Sequence, residues 1–205
     1  MPGRLATECD GRDDLTLVVA AQRDRAGFAP LYERYHRAMY VYCYRRLLNP
    51  EAAEDAAATV FVKAIVALPK FRPDPRRSGS TFRSWLFSIA HNVVVDAWRR
   101  RRPEVSLDQG RGSNLVDAIE DPCDRPEDIA LRNEEARLIA RLLNQLPERQ
   151  RASVELRLAG LTTAEVATAL GMSFGATKAM QFRAYRRLRD LLAANPHAIT
   201  REVPK

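Results

Sequence analysis

Residues 161–192, LTTAEVATALGMSFGATKAMQFRAYRRLRDLL, constrain the fold more than any other stretch, because two helical patterns meet there across a turn of fixed length. Thr162 has the hydroxyl of a helix cap, and Glu165 stands three residues on, the spacing at which each side chain satisfies the other's backbone amide. Val166, Ala167 and Leu170 follow on one face. Gly171 then stands where the chain must turn through positive φ, which a residue without a Cβ does at little steric cost. Ser173 is placed to cap a second helix, and the small Ala167 allows that helix to cross closely over the first. Basic residues accumulate along it at Lys178, Arg183, Arg186, Arg187 and Arg189, as an element that reads a polyanion's groove requires. The bland alternative is a helical hairpin with a solvated basic face. Thr177 and Gln181 fall where a crossing usually takes aliphatic side chains, which shifts the expected buried stripe to Met180, Ala184, Leu188 and Leu191.

The charge of the whole chain is less informative than its distribution. Residues 1–68 balance to zero, 69–102 carry +7, 103–135 carry −7 and 136–192 carry +6. Two basic bodies therefore flank an acidic connector, and a polyanionic partner accounts for two separate basic surfaces better than solubility does. With 46% apolar residues among 205, the chain has the material for a core. No apolar run approaches the roughly 18 residues of a membrane span, and residues 1–14 have no apolar signal core, so a cytoplasmic protein without membrane insertion is expected. Cys9, Cys43 and Cys123 are far apart in sequence, and His36, His91 and His197 do not cluster with them. Three thiols are expected, with no metal site, no cofactor and no catalytic constellation.

In chain order, Asp13 or Asp14 caps a short helix through Leu17, Val18 and Ala21. A second pattern runs from Phe28 through Leu31, Tyr32, Tyr35, Met39, Tyr42 and Cys43 at steps of three and four. Asn49 before Pro50 is a cap followed by a residue suited to the first helical turn. The helix it starts, Glu51 to Leu68, holds a near-continuous apolar run from Val60 to Leu68 broken by Lys63. A helix apolar around most of its circumference is either central in a bundle or offers one side to a partner, and periodicity does not choose between the two. Pro73 and Pro75 end it in a basic loop, FRPDPRRSGST. Phe82, Trp85, Leu86, Ile89, Ala90, Val93, Val94 and Ala97 then repeat over nearly five turns, and the helix closes in four arginines, Arg99 to Arg102, more than its dipole needs. Residues 103–126 read as a flexible linker. Beyond them, Leu131, Leu138, Ile139, Leu142, Leu143 and Leu146 are expected inward on one helix, with Val154, Leu156 and Leu158 on the next.

The order and spacing of four segments complete the picture: AEDAAATVFVKA from Ala53, TFRSWLFSIAHNVVVDAWRRRR from Thr81, LNQLPERQRASVELRLAGLTTAEVATALGMS from Leu143 and GATKAMQFRAYRRLR from Gly175. Through them the chain resembles, across residues 14–192, a bacterial RNA polymerase sigma factor of the extracytoplasmic-function (ECF) type. The resemblance implies an all-α protein of two small helical domains joined by a flexible linker. Residues 1–102 would form a region 2-like domain, 103–126 the linker, 127–193 a region 4-like helix-turn-helix domain and 194–205 a tail. It implies core RNA polymerase and promoter DNA as partners, an anti-sigma protein as regulator, and no enzymatic activity. By position, Asp55, Phe61, Lys63 and Ile65 would face the polymerase. Arg72, Arg76, Arg77, Ser80, Thr81, Asn92, Arg99 and Arg100 would meet the minus-ten element, the loop taking an unstacked base. Ser173, Lys178, Ala179, Phe182, Arg183 and Arg186 would meet the minus-thirty-five element. Ala58 and Thr59 replace the family's usual Gln-Glu pair, and Ala179 and Met180 its Ser-Arg. Two other readings compete: a helix-turn-helix regulator acting without polymerase, and a sigma mimic that titrates an anti-sigma protein.

Overall fold

The computed structural model describes residues 13–74, 79, 81–101 and 139–194. The linker assigned to residues 103–126 and the tail from 195 lie outside the described residues, as do Cys9 and Cys123. Eight α-helices and two 3-10 turns make up the regular structure described, and no strand occurs among the described residues.

Four helices form the first body: α1 (Asp14–Arg23), α2 (Ala29–Leu47), α3 (Pro50–Ala67) and α4 (Phe82–Arg101). The starts of α1 and α3 were written in the sequence. Asp13 accepts the Thr16 amide at 2.7 Å, and Asn49 accepts that of Ala52 at 2.8 Å, ahead of Pro50 in the first turn. At the head of α4, Thr81 and Ser84 cap reciprocally, the Thr81 amide donating to Ser84 Oγ at 3.0 Å and the Ser84 amide to Thr81 Oγ1 at 3.1 Å. Asp14 ties α1 to α2 through Arg34 and the Tyr35 hydroxyl. The Gln22 amide donates to the carbonyls of Leu68 and Phe71, both at 2.9 Å, and so fixes where the basic loop leaves α3.

The second body comprises α5, helical at residues 139–144, with α6 (Glu148–Leu158), α7 (Thr163–Ala169) and α8 (Phe174–Ala193). The helix-turn-helix is built as its sequence indicates. The Glu165 amide reaches Thr162 Oγ1 at 3.2 Å while the Thr162 amide donates to Glu165 Oε2 at 2.8 Å. Gly171 takes φ +63°, and the Ala176 amide donates to Ser173 Oγ at 3.2 Å. The buried stripe of α8 differs from expectation: Thr177 and Gln181 are buried with Met180 and Ala184, whereas Leu188 and Leu191 are half-buried. Hydrogen bonds serve part of these polar groups, Thr177 Oγ1 donating to the Ser173 carbonyl at 3.0 Å and Thr163 Oγ1 to Gln181 Oε1 at 3.1 Å, while Gln181 Nε2 is buried without a hydrogen-bond partner among the described residues. Ile139 and Leu158 are exposed rather than inward.

The two bodies are not independent. One apolar cluster runs from Leu31, Tyr42 and Phe87 in the first to Leu156, Leu161 and Val166 in the second. The second body keeps only a small cluster of its own, Leu143, Leu146, Val154 and Ala184, with Leu188 against it. Val154 and Leu156, two residues apart on α6, thus face different cores, and α6 and α7 act as wedges between the first body and α8.

Candidate nucleic-acid interface

Helix α8 turns one face to the core and the other to solvent. Lys178, Ala179, Phe182, Arg183 and Arg186 all lie on its exposed side, as does the cap Ser173. Phe182 is 68% exposed. An aromatic ring held that far out on a basic helix forgoes core burial, and beside the exposed Arg183 guanidinium it has the chemistry for an apolar contact next to a hydrogen-bond donor.

The second basic surface belongs to α4 and the loop before it. Asn92, Arg99 and Arg100 are exposed toward the helix's C-terminal end. Arg76, Arg77 and Ser80 lie outside the described residues, but Arg72 and Thr81 frame the loop. Between them opens a cavity of about 370 Å³. Phe71 and Trp85 line it with rings 4.8 Å apart and tilted by 39°, while Thr81, Ser84 and Ser88 supply hydroxyls. Lys70 and Arg72 bring positive charge to its lining, and Thr168 of α7 completes the wall from the other body. Apolar rings beside hydroxyls and cations suit a flat heterocycle attached to a phosphate.

Helix α3 answers the question its surplus apolar surface raised. Glu54, Asp55, Ala58, Thr59, Val62, Lys63 and Val66 share its exposed side, whereas Ala53, Ala57, Val60 and Ala64 are buried. Phe61 departs from its assigned role: it is 5% exposed, edge-on to Phe28 and Tyr32 at 6.3 and 4.7 Å. Burial of the ring between α2 and α3 removes it from direct contact with a partner. The apolar groups offered outward are Val62, 62% exposed, and Val66, 71% exposed, with Ile65 half-buried beside them.

Polar contacts join the two bodies behind these surfaces. Buried Arg46 on α2 donates to buried Glu155 on α6 at 3.0 Å and pairs with Glu148. Arg151 Nε donates to the other Glu155 oxygen at 2.7 Å, and its Nη2 reaches back to the Arg45 carbonyl at 2.6 Å. Burial pushes the Glu155 carboxyl above the ordinary carboxylate range, and Arg46 and Arg151 pull it back. Close to the cavity, Thr81 Oγ1 donates to Glu165 Oε1 at 2.9 Å, and Arg83 donates to the Ala159 carbonyl. Gly79, at φ +85°, packs so tightly on the Ala164 backbone that a Cβ would not fit. Burial also lowers His91 from its ordinary 6.5 and pushes the Cys43 thiol up to about 12, which leaves that cysteine inert.

Comparison with known proteins gives the family of the chain. The family model for Sigma-70 region 2 matches residues 31–104, and that for Sigma-70, region 4 matches 136–188. The chain is 36% identical over 200 residues to the ECF RNA polymerase sigma factor ShbA of Streptomyces griseus, covering 88% of this chain and 98% of that protein. It is 33% identical over 193 residues to the ECF RNA polymerase sigma factor BldN of Streptomyces coelicolor, covering 92% and 69%. The chain belongs to the ECF RNA polymerase sigma factors. As a sigma factor it is a transcription initiation factor that associates with core RNA polymerase and recognises promoter DNA. A regulator acting without polymerase would have no use for region 2. Among solved structures, this sigma factor superposes on CnrH in complex with the cytosolic domain of CnrY with a TM-score of 0.65 at 26% identity, covering 88% and 97% of the two chains. It shares the fold of RpoE in complex with the anti-sigma factor NepR from Bartonella quintana, with a TM-score of 0.59 at 24% identity, covering 81% and 96%.

Sequence reasoning missed two groups in this sigma factor. Trp85 was placed in the apolar stripe of α4 and Ser88 was not singled out, although serines flanking a tryptophan at helical spacing hint at a lined cavity. Arg46, Arg151 and Glu155 were not singled out; the signal available for them was that Glu155 lies between the apolar Val154 and Leu156.

Proposed function

We infer that three surfaces of this sigma factor divide the work of initiation. The outer side of α3, with Asp55, Val62, Lys63 and Val66, docks on core polymerase, and buried Phe61 and half-buried Ile65 support it from beneath. The cavity between the loop and α4 takes an unstacked base of the minus-ten element, while Arg72, Asn92, Arg99 and Arg100 neutralise neighbouring phosphates; Arg76, Arg77 and Ser80 belong to the same loop. On α8, Arg183 and Phe182 read base edges of the minus-thirty-five element, Lys178 and Arg186 hold phosphates, and Ser173 and Ala179 sit at close approach. The observation that carries this reading is the shared exposed face of Lys178, Phe182, Arg183 and Arg186 on the second helix of a capped helix-turn-helix. The protein acts in the cytoplasm and performs no catalysis of its own. An anti-sigma protein is its regulator, a reading supported by the anti-sigma complex among proteins of the same fold. No helix among the described residues is long and apolar enough to cross a membrane. Run-off transcription with core polymerase tests the division: the Arg183→Ala variant should lose cognate promoters while still binding core, and equal loss of core binding would contradict it.

A further inference from the structure

The root of the basic loop is short of hydrogen-bond donors of its own. Pro69 and Pro73, which carry the chain from α3 into the loop, have no backbone N–H. Within the turn the Phe71 amide reaches the Leu68 carbonyl at 3.0 Å. The Arg72 guanidinium folds back on the same turn, its Nη1 donating to the carbonyls of Pro69 at 3.0 Å and Phe71 at 2.7 Å. A further donor comes from another helix. Gln22 Nε2, in the last turn of α1, donates to the Leu68 and Phe71 carbonyls, both at 2.9 Å. One amide nitrogen thus spends its two hydrogens on two acceptors, which fixes the end of the side chain that faces the turn. Helix α1 is itself held, since Asp14 pairs with Arg34 and accepts the Tyr35 hydroxyl, and the Tyr35 ring lies 5.6 Å from Phe82.

The two groups that share the Phe71 carbonyl's surroundings are also parts of the cavity. The Phe71 ring is buried 6.0 Å from Phe82 and 4.8 Å from Trp85, and Phe71, Arg72 and Trp85 all line the opening. Gln22 does not line it. We propose that Gln22 is a positioning residue for capture of the unstacked minus-ten base. By holding the Leu68 and Phe71 carbonyls it sets the height of the Phe71 ring against Trp85 and the direction of the Arg72 guanidinium. Without its amide, Arg72 is the donor left to the Phe71 carbonyl among the described residues, so the guanidinium is tied to the turn rather than offered to a phosphate. Gln22 lies on neither the outer side of α3 nor α8, so core docking and minus-thirty-five contact are untouched. This inference rests on the assignment of the cavity to an unstacked base.

Two variants of the full chain, assembled with core polymerase, provide the test. Gln22→Met keeps the length and removes both donors, and Gln22→Glu keeps the shape while setting acceptors against the two carbonyls. The probe is a linear promoter fragment whose start site depends on the wild-type chain, mispaired across the minus-ten element. An abasic site is placed at each non-template position of that element in turn. Competition binding reads promoter affinity, while thermal unfolding and titration with core polymerase read folding and docking. With the wild-type chain, one abasic position should cost on the order of tenfold, the scale of a base lost from an aromatic stack. With both variants the intact fragment should bind about tenfold less tightly, and the penalty at that position should shrink below about twofold, as coupled groups require. Core affinity should not change. A residue that only ties α1 to the turn would leave the abasic penalty at its wild-type size, and that result would overturn the proposal. Loss of folding in both variants, or a fall in core affinity matching that in promoter affinity, would overturn it too. Trp85→Ala tells the two readings apart. If it abolishes the penalty while the Gln22 variants keep it, the positioning role alone falls; if the penalty survives Trp85→Ala as well, the assignment of the cavity falls.

Discussion

Replacing Val62 and Val66 together by serine separates docking from folding more cleanly than any change at Phe61. Both valines are more than half exposed, so the isolated chain loses little, within about 0.5 kcal/mol per site for a surface change on a helix where serine and valine have similar propensities. If core polymerase covers them, each loses part of the roughly 1.5–3 kcal/mol that full burial of such a side chain supplies. About two-thirds of each valine is available to be covered, at 62% and 71% exposure, so the pair contributes about 2–4 kcal/mol. At about 1.4 kcal/mol per tenfold, core affinity should fall roughly 30- to 700-fold. Titration of a labelled chain with core polymerase measures this, and thermal unfolding of the free protein checks that stability is unmoved. Phe61→Asp should behave oppositely. Its ring is buried against Phe28 and Tyr32, and truncation of such a ring alone costs about 3–5 kcal/mol before any charge is buried. Against a total stability of about 5–15 kcal/mol, the variant should be largely unfolded. Wild-type core affinity in the double serine variant would show that the outer side of α3 is not the docking surface.

Further perturbations address the other surfaces. Arg183→Ala should cost about 1–3 kcal/mol on a cognate minus-thirty-five sequence and much less on a scrambled one, compared by competition in the polymerase complex. Arg100→Ala should weaken both alike and flatten the slope of log affinity against log salt by roughly 0.7–0.9. Because burial lowers His91 from its ordinary 6.5, the unfolded chain binds its proton more readily than the folded one. His91 therefore contributes stability above that value that is lost as pH falls through it, and His91→Gln should reduce the drop in melting temperature between pH 7.5 and 5.5. Gly160→Ala should destabilise the chain by about 1–3 kcal/mol in denaturant titrations, since Gly160 holds φ +85° at the end of α6.

Most of the helical framework was legible in the sequence because its signals are local. Asp13, Asn49, Thr162 and Ser173 cap the helices they precede, and Gly171 makes the turn, because capping and positive φ depend on a few neighbouring atoms. The exposed residues of α8 were equally legible, since charge at helical spacing has few uses in a core. What could not be read was contact between distant segments. Phe61 looked like surplus surface until α2 covered it. Thr177 and Gln181 looked misplaced until Ser173 and Thr163 supplied their partners. Glu155 was not singled out, and its burial is made tolerable by Arg151 one turn away together with Arg46, over a hundred positions earlier. Each of these depends on tertiary neighbours that periodicity does not name.

The central claim is that the chain directs core polymerase to promoters through two separated DNA contacts. Its most direct test is transcription of total genomic DNA from its own host by core polymerase, with and without the purified chain, followed by mapping of RNA 5′ ends. The account predicts a set of start sites that appears only with the chain and shares two sequence elements at fixed spacing, near positions minus ten and minus thirty-five. With Arg183→Ala, the requirement for the upstream element alone should relax. Identical start sites with and without the chain would contradict the account.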